Sequence, residues 1–274
     1  GTDSLTIKSG GATATITGVA GGTAALSALT VNNTAGAGAI TLGGIGAGSA
    51  GVTGATAVGN TNTASVTFSG TTYNANQQTY TAAAGNNLKL TNGATTTFTS
   101  TDDAIAFNTA DILLSGGTNL VVNSAGGAIS ALAINGTTSE DVTLNANTGT
   151  TNTVTVGAIG TGAGKINTVA LTGSGGVRLN GSITTDANTG NSVTVTGAAT
   201  LGANVTIDTS ANTGDTTGTV GFSSTVNDAN AAGTDSLTIK SGGATATITG
   251  VAGGTAALSA LTVNNTAGAG AITL

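Results

Sequence analysis

A short alternation of apolar and polar residues recurs along the whole chain. Each instance is a triplet with an apolar residue, a central Thr, Lys or Arg, and a second apolar residue. The triplets begin at Leu5, Leu29, Ile40, Val66, Leu88, Val142, Val154, Val177, Val193 and Val205. Because side chains alternate between the two faces of a strand, each triplet predicts a strand whose outer residues face inward and whose central residue faces outward. Gly, Asn, Ser and Asp bound the triplets, so we predict strands of only about three to five residues.

Strands this short are unstable as isolated hairpins, and the Asn-Gly and Asp-Gly pairs that mark tight hairpins are few. Alternate triplets recur every 20 to 25 residues or so, which is about the length of one coil of a solenoid. In a parallel solenoid each strand pairs with the coil before it and the coil after it. We therefore predict an all-β fold, a parallel β-helix with roughly 20 to 25 residues per coil.

One long segment occurs twice. Residues 1–42 recur without a change at 233–274, at an offset of 232 positions. This recurrence predicts that residues 1–232 form one full period of a tandem solenoid and that residues 233–274 begin the next, with no separate domain. Neighbouring copies of the same repeat are therefore the expected partners, with other fibres packed side by side as a further possibility.

The composition allows only a thin interior. Charged residues make up 6% of the chain, against roughly a quarter in an ordinary soluble domain, and aromatic residues make up 2%. Disorder is disfavoured because Val, Ile and Thr are abundant and the net charge is only -6. The main rival fold is a string of β-sandwich modules, which needs longer strands and larger inward side chains.

Composition also narrows the function classes. The sequence contains no apolar stretch of about eighteen residues, which is the length that would predict a membrane span. Five basic residues without a cluster do not favour nucleic acid as a partner. The chain has neither His nor Cys, on which nucleophile triads and zinc sites usually depend. We predict no enzyme, no catalytic residue and no cofactor.

Two pairs of adjacent acidic residues are the candidate chemical sites. No basic residue is close in sequence to Asp102 and Asp103, or to Glu140 and Asp141, so both pairs are interpreted as solvated loop and turn residues. Calcium prefers carboxylate and carbonyl oxygens, and candidate ligands are present. The calcium candidates are Asp102, Asp103 and Asp111, with Asp208 and Asp215 as further acidic residues. The nonapeptide typical of calcium-binding β-rolls does not occur in the chain.

Runs of alternating Thr suggest an alternative function. "TATIT" begins at Thr13, "TNTVTV" at Thr151 and "TVT" at Thr194. A flat ladder of outward Thr on a rigid solenoid resembles the ice-binding face of some antifreeze proteins, and columns of Thr and Asn also suit a glycan. Thr is equally the ordinary outward residue of a β-helix, so the runs alone do not decide between a binding surface and plain structure.

Three longer stretches carry a resemblance to a known class of proteins. They are "TLGANVTIDTSANTGDTTGTVGFSSTVNDA" at 200–229, followed by "DSLTIKSGG", with "TTYNANQQTYTA" at 71–82 and "LTGSGGVRLNGSITT" at 171–185. They resemble the repeats of very large bacterial surface proteins of the filamentous-haemagglutinin and autotransporter-passenger type. The resemblance implies a right-handed parallel β-helix, secreted to the cell exterior, that serves as a long adhesin stalk or surface fibre.

Overall fold

The fold of this chain is an all-β parallel solenoid. The structure is a computed structural model that describes residues 2–33, 36–85, 87–161, 166–186, 190–210, 217–265 and 270–274. Every regular element among these residues is a β-strand, and the chain winds in parallel coils of about 24 residues, about ten turns in all. These findings confirm the predicted fold class and coil length. The chain divides into two compact units, Gly1–Leu132 and Ala133–Leu274.

The first unit contains thirteen of the described strands. They are β1 (Ser4–Ser9), β2 (Ala14–Ala20), β3 (Ala28–Asn33), β4 (Ile40–Ile45), β5 (Val52–Val58), β6 (Val66–Phe68), β7 (Thr72–Thr81), β8 (Leu88–Leu90), β9 (Thr96–Ser100), β10 (Ile105–Asn108), β11 (Ile112–Leu114), β12 (Leu120–Ser124) and β13 (Ile129–Ala131).

These strands stack in three parallel ladders. The first ladder runs β1, β3, β5, β7, β10 and β13, and the second runs β2, β4, β6, β8 and β11. The third ladder runs from the ends of β2 and β4 through the beginning of β7 to β9 and β12. The coils of this unit are therefore three-sided.

The second unit contains the remaining described strands. They are β14 (Ile134–Asn135), β15 (Glu140–Ala146), β16 (Thr153–Val156), β17 (Ile166–Gly173), β18 (Gly176–Leu179), β19 (Ile183–Thr184), β20 (Ser192–Thr196), β21 (Ala199–Leu201), β22 (Val205–Asp208), β23 (Thr219–Phe222), β24 (Val226–Asp228), β25 (Ser236–Ser241), β26 (Ala246–Ile248), β27 (Ala260–Asn265) and β28 (Ile272–Thr273).

This unit is also three-sided. One ladder runs from Ile134 through Ile159 to β19, β22, β25 and β27. A second ladder runs β15, β17, β20, β23, β26 and β28. The third runs β16, β18, β21 and β24, and continues to Ala252 through a single bridge. All of these pairings are parallel, so each coil uses the preceding coil as its hydrogen-bonding template.

The alternation within each triplet sets which side chains form the core. Ile40 and Leu42 are fully buried, whereas Thr41 between them is only half-buried. Paired strands align the inward residues into apolar columns, such as the column of Val142, Val169, Val193 and Val220. Val over Val stacks at the β-strand spacing without leaving a void, which is why a core this narrow can be closely packed.

The predicted strand length is wrong for part of the chain. Strand β7 has ten residues, and β17 has eight. Strand β7 reaches this length because it passes from one ladder to another: Tyr73 pairs with Phe98 of β9, and Tyr80 pairs with Val58 of β5. Strand β7 turns a corner of the solenoid while it keeps its hydrogen bonds to the strands on both of its edges. It contains no Gly.

The first unit contains an aromatic cluster that the sequence analysis did not predict. Its members are Phe68, Tyr73, Tyr80, Phe98 and Phe107, five of the six aromatic residues of the chain, and all five are buried. The rings of Tyr73 and Phe98 stack with centroids 4.8 Å apart, and Phe68 meets the neighbouring rings edge-on. The sequence does indicate such a cluster, because all five aromatic residues lie within residues 68–107.

The two tyrosines of this cluster have polar partners. Tyr73 donates its hydroxyl hydrogen to the carbonyl of Leu42 at 2.7 Å, and Tyr80 donates to Oε1 of the buried Gln78 at 2.8 Å. The amide of Gln78 donates in turn to the carbonyl of Thr99 at 2.7 Å. Burial raises the pKa of both tyrosines well above the usual range. The cluster is a neutral, satisfied core.

Candidate functional surfaces

The two identical segments share their main strand pairings among the described residues. In the first copy, residues 1–42, β1 pairs with β3 so that Ser4 lies beside Ala28. In the second copy, residues 233–274, β25 pairs with β27 so that Ser236 lies beside Ala260. The step is 24 residues in both cases. The strands that follow begin their pairing alike, because Ala14 of β2 pairs with Ile40 and Ala246 of β26 pairs with Ile272, a step of 26 residues. Strand β2 continues to Ala20, whereas β26 ends at Ile248.

Bonds outside the strands repeat as well. The amide of Ser27 donates to the carbonyl of Asp3 at 2.8 Å, and the amide of Ser259 donates to that of Asp235 at 2.8 Å. The corner glycine of each copy has a positive φ, 67° at Gly21 and 72° at Gly253. A residue with a side chain rarely adopts this conformation, so the same residue type is required at the same corner. These pairings and this corner of the segment therefore do not depend on which unit contains it.

The copies differ in which edge is covered. Strands β3 and β4 of the first copy are followed by β5 and β6, which pair with Leu29 and Ile40. Among the described residues, no strand pairs with the other side of β27 and β28, and we call that side the trailing edge. The trailing edge exposes apolar side chains whose first-copy counterparts are fully buried: Leu261 is 38% exposed, Ile272 46% and Leu274 70%.

At the start of the segment the difference in burial is reversed, because there the second copy is the covered one. Strands β25 and β26 of the second copy lie on β22 and β23, so Leu237 and Ile239 are fully buried. In the part of the chain that is described, no strand pairs with the outer side of β1 and β2, which we call the leading edge. Leu5, the counterpart of Leu237, is 36% exposed there. Each copy therefore presents one open edge, and the other copy shows what covers it.

The second unit also has a face built from hydroxyl groups, formed by the outward residues of β15, β17, β20, β23, β26 and β28. Its central column is Thr143, Ala170, Thr194, Gly221, Thr247 and Thr273, and its flanking columns include Thr168, Ser192 and Thr219 on one side and Asn145, Thr172 and Thr196 on the other. Neighbouring columns lie two residues apart along a strand, about 6.6 Å, and rungs lie about 4.8 Å apart. We call this surface the hydroxyl face.

The first unit has a comparable column in its first ladder, formed by Thr6, Thr30, Ala57, Thr79, Ala106 and Ser130. The outward column of its second ladder is different: it begins with Thr15, Thr41 and Thr67, but continues with Lys89 and Leu113. In that ladder a long cationic side chain, followed by the half-buried Leu113, interrupts the row of small hydroxyls. The Thr run at Thr13 is therefore only three rungs deep, whereas the run at Thr194 lies in the middle of a six-rung column.

The calcium candidates occupy turns. Asp102 and Asp103 follow β9 and are exposed, and Asp103 accepts a hydrogen bond from Asn76 at 2.9 Å. Asp111 is half-buried just before β11. In the described ranges, no three acidic, His or Cys side chains come together as a metal-binding group. Asp215 lies outside the described residues. Calcium binding at Asp102, Asp103 or Asp111 stays a prediction.

The interpretation of Glu140 as a solvated turn residue is wrong. Its side chain is fully buried at the start of β15, and it accepts hydrogen bonds from the amides of Thr137 and Thr138 at 2.8 and 2.9 Å and from their hydroxyls. Burial opposes ionisation, but these donors outweigh it and lower the pKa of Glu140. The alternation of buried Val142 and Leu144 extends back to Glu140, and this was the missed signal.

Asp141, next to Glu140, faces the other way. Its carboxylate accepts from Nδ2 of Asn167 at 3.0 Å and from the amide and hydroxyl of Thr168 at 3.1 and 2.7 Å. The carboxylates of Glu140 and Asp141 therefore lie on opposite faces of β15. Each organises the backbone around it, and the two do not converge on a shared position.

Another inward carboxylate, Asp228, was not singled out from the sequence. It stands at the end of β24, beside Leu201 in the ladder, where the alternation from Val226 requires an inward residue. It accepts from the amides of Asn230, Thr234 and Asp235 at 2.8 to 2.9 Å. These hydrogen bonds overcome the effect of desolvation and hold the pKa of Asp228 well below its usual range. Asp228 thereby fixes the loop that leads into the second copy.

Comparison with known proteins does not assign this chain to a family. No protein-family model, no curated protein and no solved structure matches it. Within the described residues, no helix has the length and apolar character required to cross a bilayer. The fold is compatible with β-helix repeat proteins.

Proposed function

We propose that this chain is a structural repeat module of a long extracellular filament, sheath or adhesin stalk on a bacterial surface. The observation that carries the proposal is that residues 1–42 and 233–274 have the same pairing steps. A period that begins again in the same register can be extended without a change of geometry. Repetition of this kind lengthens a rod by nearest-neighbour contacts alone.

The bacterial and extracellular parts of the proposal depend on sequence resemblance. The stretches at 71–82, 171–185 and 200–229 resemble repeats of the filamentous-haemagglutinin and autotransporter-passenger type, and the parallel β-solenoid is compatible with that class. The chain has no Cys or Met to be oxidised and only five basic residues at which trypsin-like proteases cleave. These properties suit a material exposed outside the cell.

Chains with one, two and three copies of the 232-residue period test this role. Because each coil is stabilised by its neighbours, the denaturant concentration at the unfolding midpoint should rise with copy number. Electron microscopy should show fibres that lengthen in proportion to the number of copies. A midpoint that does not change with copy number, or a string of separate globules, would contradict the proposal.

A second candidate function is binding of a glycan or of ice by the hydroxyl face. It is favoured by the six-rung depth of the central column through Thr194 and Thr247, which is interrupted only by the small residues Ala170 and Gly221. Small outward residues leave a flat surface on which a regular array of hydroxyl groups can meet a repeating ligand.

Thermal hysteresis and a glycan array test the second candidate. The informative variant is Thr194→Lys with Thr196→Lys, which places two long cationic side chains in the middle of the hydroxyl face. The control is Thr206→Lys, which lies outward on β22 in another ladder. Activity that is lost in the first variant and kept in the control would support a binding face. Absence of both activities in the unaltered chain would dismiss it.

A further inference from the structure

The sequence contains three Asn-Gly pairs, and the structure places them in different surroundings. They are Asn92–Gly93, Asn135–Gly136 and Asn180–Gly181. An Asn side chain deamidates most readily before Gly, because Gly has no side chain to hinder its backbone nitrogen from attacking the carbon of the Asn amide. The attack also depends on what holds the two groups, so the three pairs can be compared within one molecule.

Asn180 lies in an exposed turn directly after β18. Its Oδ1 accepts a hydrogen bond from Nε of Arg178 at 2.9 Å. Across the residues that the structure describes, no acceptor contacts Nδ2 of Asn180 or the amide N–H of Gly181. The attacking nitrogen and the departing nitrogen are therefore both unrestrained, and the oxygen that gains negative charge during the attack already faces a cation.

The guanidinium of Arg178 is held beside this amide. Gly202 of the next coil lies against both groups, since a Cβ added there would be 2.1 Å from Oδ1 of Asn180 and 2.9 Å from Nη2 of Arg178. Nη2 also lies 3.4 Å from Oδ1 of Asn230. Within the described ranges, no carboxylate forms an ion pair with Arg178, so its charge acts on Asn180 without being neutralised.

Asn92 has the opposite arrangement. Its Nδ2 donates to the carbonyl of Gly70 and to Oγ1 of Thr96, both at 2.6 Å. The amide of Gly93 donates to Oγ1 of Thr118 at 2.8 Å. Attack at Asn92 therefore requires both the nucleophile and the leaving group to give up hydrogen bonds, which slows the reaction.

The remaining pair is enclosed. Asn135 ends β14 and is half-buried, and Gly136 is buried. Deamidation requires solvent to remove the proton from the backbone nitrogen and later to supply water, and both steps are hindered at a buried glycine. Of the three pairs, the one at Asn180 is therefore the most exposed to the reaction.

We propose that Asn180 is a site of spontaneous deamidation that Arg178 promotes. The backbone nitrogen of Gly181 gives its proton to solvent and attacks Cγ of Asn180. The Cγ–Nδ2 bond breaks, and Nδ2 takes up a proton from water and leaves as ammonia. Water then opens the five-membered succinimide, which yields Asp or isoaspartate without oxidation or reduction. The Nε–H of Arg178 stabilises the negative charge that develops on Oδ1 during the attack.

The reaction changes both the charge and the backbone of the turn. The new carboxylate lies beside the guanidinium of Arg178, with which it can form an ion pair. Isoaspartate also adds a carbon to the backbone next to Gly181, where a Cβ would already lie 2.6 Å from the amide nitrogen of Ala158. This modification goes beyond the proposed structural role and does not depend on it.

Peptide mass spectrometry after incubation at mildly alkaline pH tests the proposal. Trypsin cleavage of the unfolded chain after Lys89, Lys165, Arg178 and Lys240 places Asn180 in residues 179–240 and the other two pairs in residues 90–165. In chains incubated folded, the mass gain from replacing NH₂ by OH should appear at Asn180 at least about tenfold faster than at Asn92 or Asn135. In chains incubated in urea, the three rates should become similar.

Two results of this comparison would overturn the proposal. One is a rate at Asn180 in the folded chain that does not exceed the rates at the other two pairs. The other is a difference that persists unchanged in urea, which would assign it to the neighbouring sequence and not to the fold. Asn180→Gln confirms the position, because the larger ring forms far more slowly and the fast mass gain in residues 179–240 should disappear.

Substitutions of Arg178 test its part in the reaction. Arg178→Ala should slow deamidation of Asn180 by about threefold to tenfold, less than in an enclosed active site because water screens a half-buried charge. Arg178→Lys keeps the charge but loses the Nε–H donor, so its rate should lie between the two. Lys89→Ala, which removes a cation from the first unit, is the control and should leave the rate unchanged. A folded Arg178→Ala chain that deamidates at the unaltered rate would overturn the promotion by Arg178.

Discussion

Leu29 and Leu261 occupy the same position in two identical 42-residue sequences, yet one is fully buried and the other lies at an open edge. At the other end of the same segment the order is reversed, since Leu237 is buried and Leu5 is partly exposed. The pairing of β1 with β3 recurs unchanged in the pairing of β25 with β27, although β2 is longer than β26. This strand pairing is therefore a property of the segment, whereas burial is a property of the neighbouring coil.

The largest expected effect comes from truncating these leucines. Leu29→Ala should lower the free energy of unfolding by about 2 to 5 kcal/mol, because it leaves a cavity between β1, β3 and β5. Leu261→Ala should cost about 1 kcal/mol or less, because the side chain is already partly in water. Urea denaturation of both variants measures the difference.

The same measurement at the other end of the segment serves as the internal control. Leu237→Ala should cost about 2 to 5 kcal/mol and Leu5→Ala much less, so the ranking of first and second copies must reverse between the two positions. A ranking that stays the same would mean that one whole copy is simply less stable, and burial by the next coil would not be the cause.

The next effect should be shared by both copies. A Cβ added at Gly38 would lie 2.3 Å from the carbonyl oxygen of Ala12, and one added at Gly270 would lie 2.2 Å from that of Ala244. Both contacts are internal to a copy, so Gly38→Ala and Gly270→Ala should each destabilise the chain, by roughly 1 to 3 kcal/mol. The loss should be smaller at Gly270, because an edge coil can move away. Thermal unfolding followed by circular dichroism measures both.

A third effect depends on pH and concerns Asp228, which holds the loop that leads into the second copy. The pKa of Asp228 is lowered in the folded state, so its contribution to stability is present above the unfolded value of about 3.9 and is lost as the pH falls through the folded value. Asp228→Asn should be less stable than the unaltered chain near neutral pH, and the gap should narrow as the pH is lowered. Urea midpoints measured from pH 6 to about pH 2.5 would reveal it. A gap that does not depend on pH would contradict this account.

The smallest effect concerns the lysine shared by the copies. Nζ of Lys240 lies 3.5 Å from Asp208, and its counterpart Lys8 lies in β1, which no preceding coil covers among the described residues. Exposed ion pairs contribute about 0 to 1 kcal/mol and are screened by salt. Lys240→Ala should lower stability slightly at low salt and not at high salt, whereas Lys8→Ala should have no effect at either. Urea denaturation at two salt concentrations makes the comparison.

Most of the architecture was predictable because every triplet follows the alternation of inward and outward side chains along a strand. All ten predicted triplets lie in strands, from Leu5 in β1 to Val205 in β22. Stacking follows, since strands of this length need a partner on each edge. The candidate surfaces were less predictable. The run at Thr194 indicated a row of hydroxyls, but its depth depends on which residues five other coils place beside it.

Three features escaped the sequence analysis for identifiable reasons. Glu140 and Asp228 are charged, and charged residues are seldom buried, so their inward positions in the alternation were overlooked. They are tolerated because nearby backbone amides donate to them. The predicted strand length assumed that turn residues end every strand. Strand β7 is longer because it continues through a corner that contains no Gly. The aromatic cluster requires neighbouring coils to bring Phe68, Tyr80 and Phe98 together.

The sequence by itself determined which side chains face inward, since the alternation of period two is a geometric consequence of the strand. It also determined that the first and third strands of the 42-residue segment pair in one register in both copies. Only the tertiary structure decided that Leu29 is buried and Leu261 exposed, which residues form the hydroxyl face, and where the aromatic rings meet. The physical reason is that a solenoid coil buries its apolar edge only against the next coil, so position in the stack, and not residue type, sets the final environment.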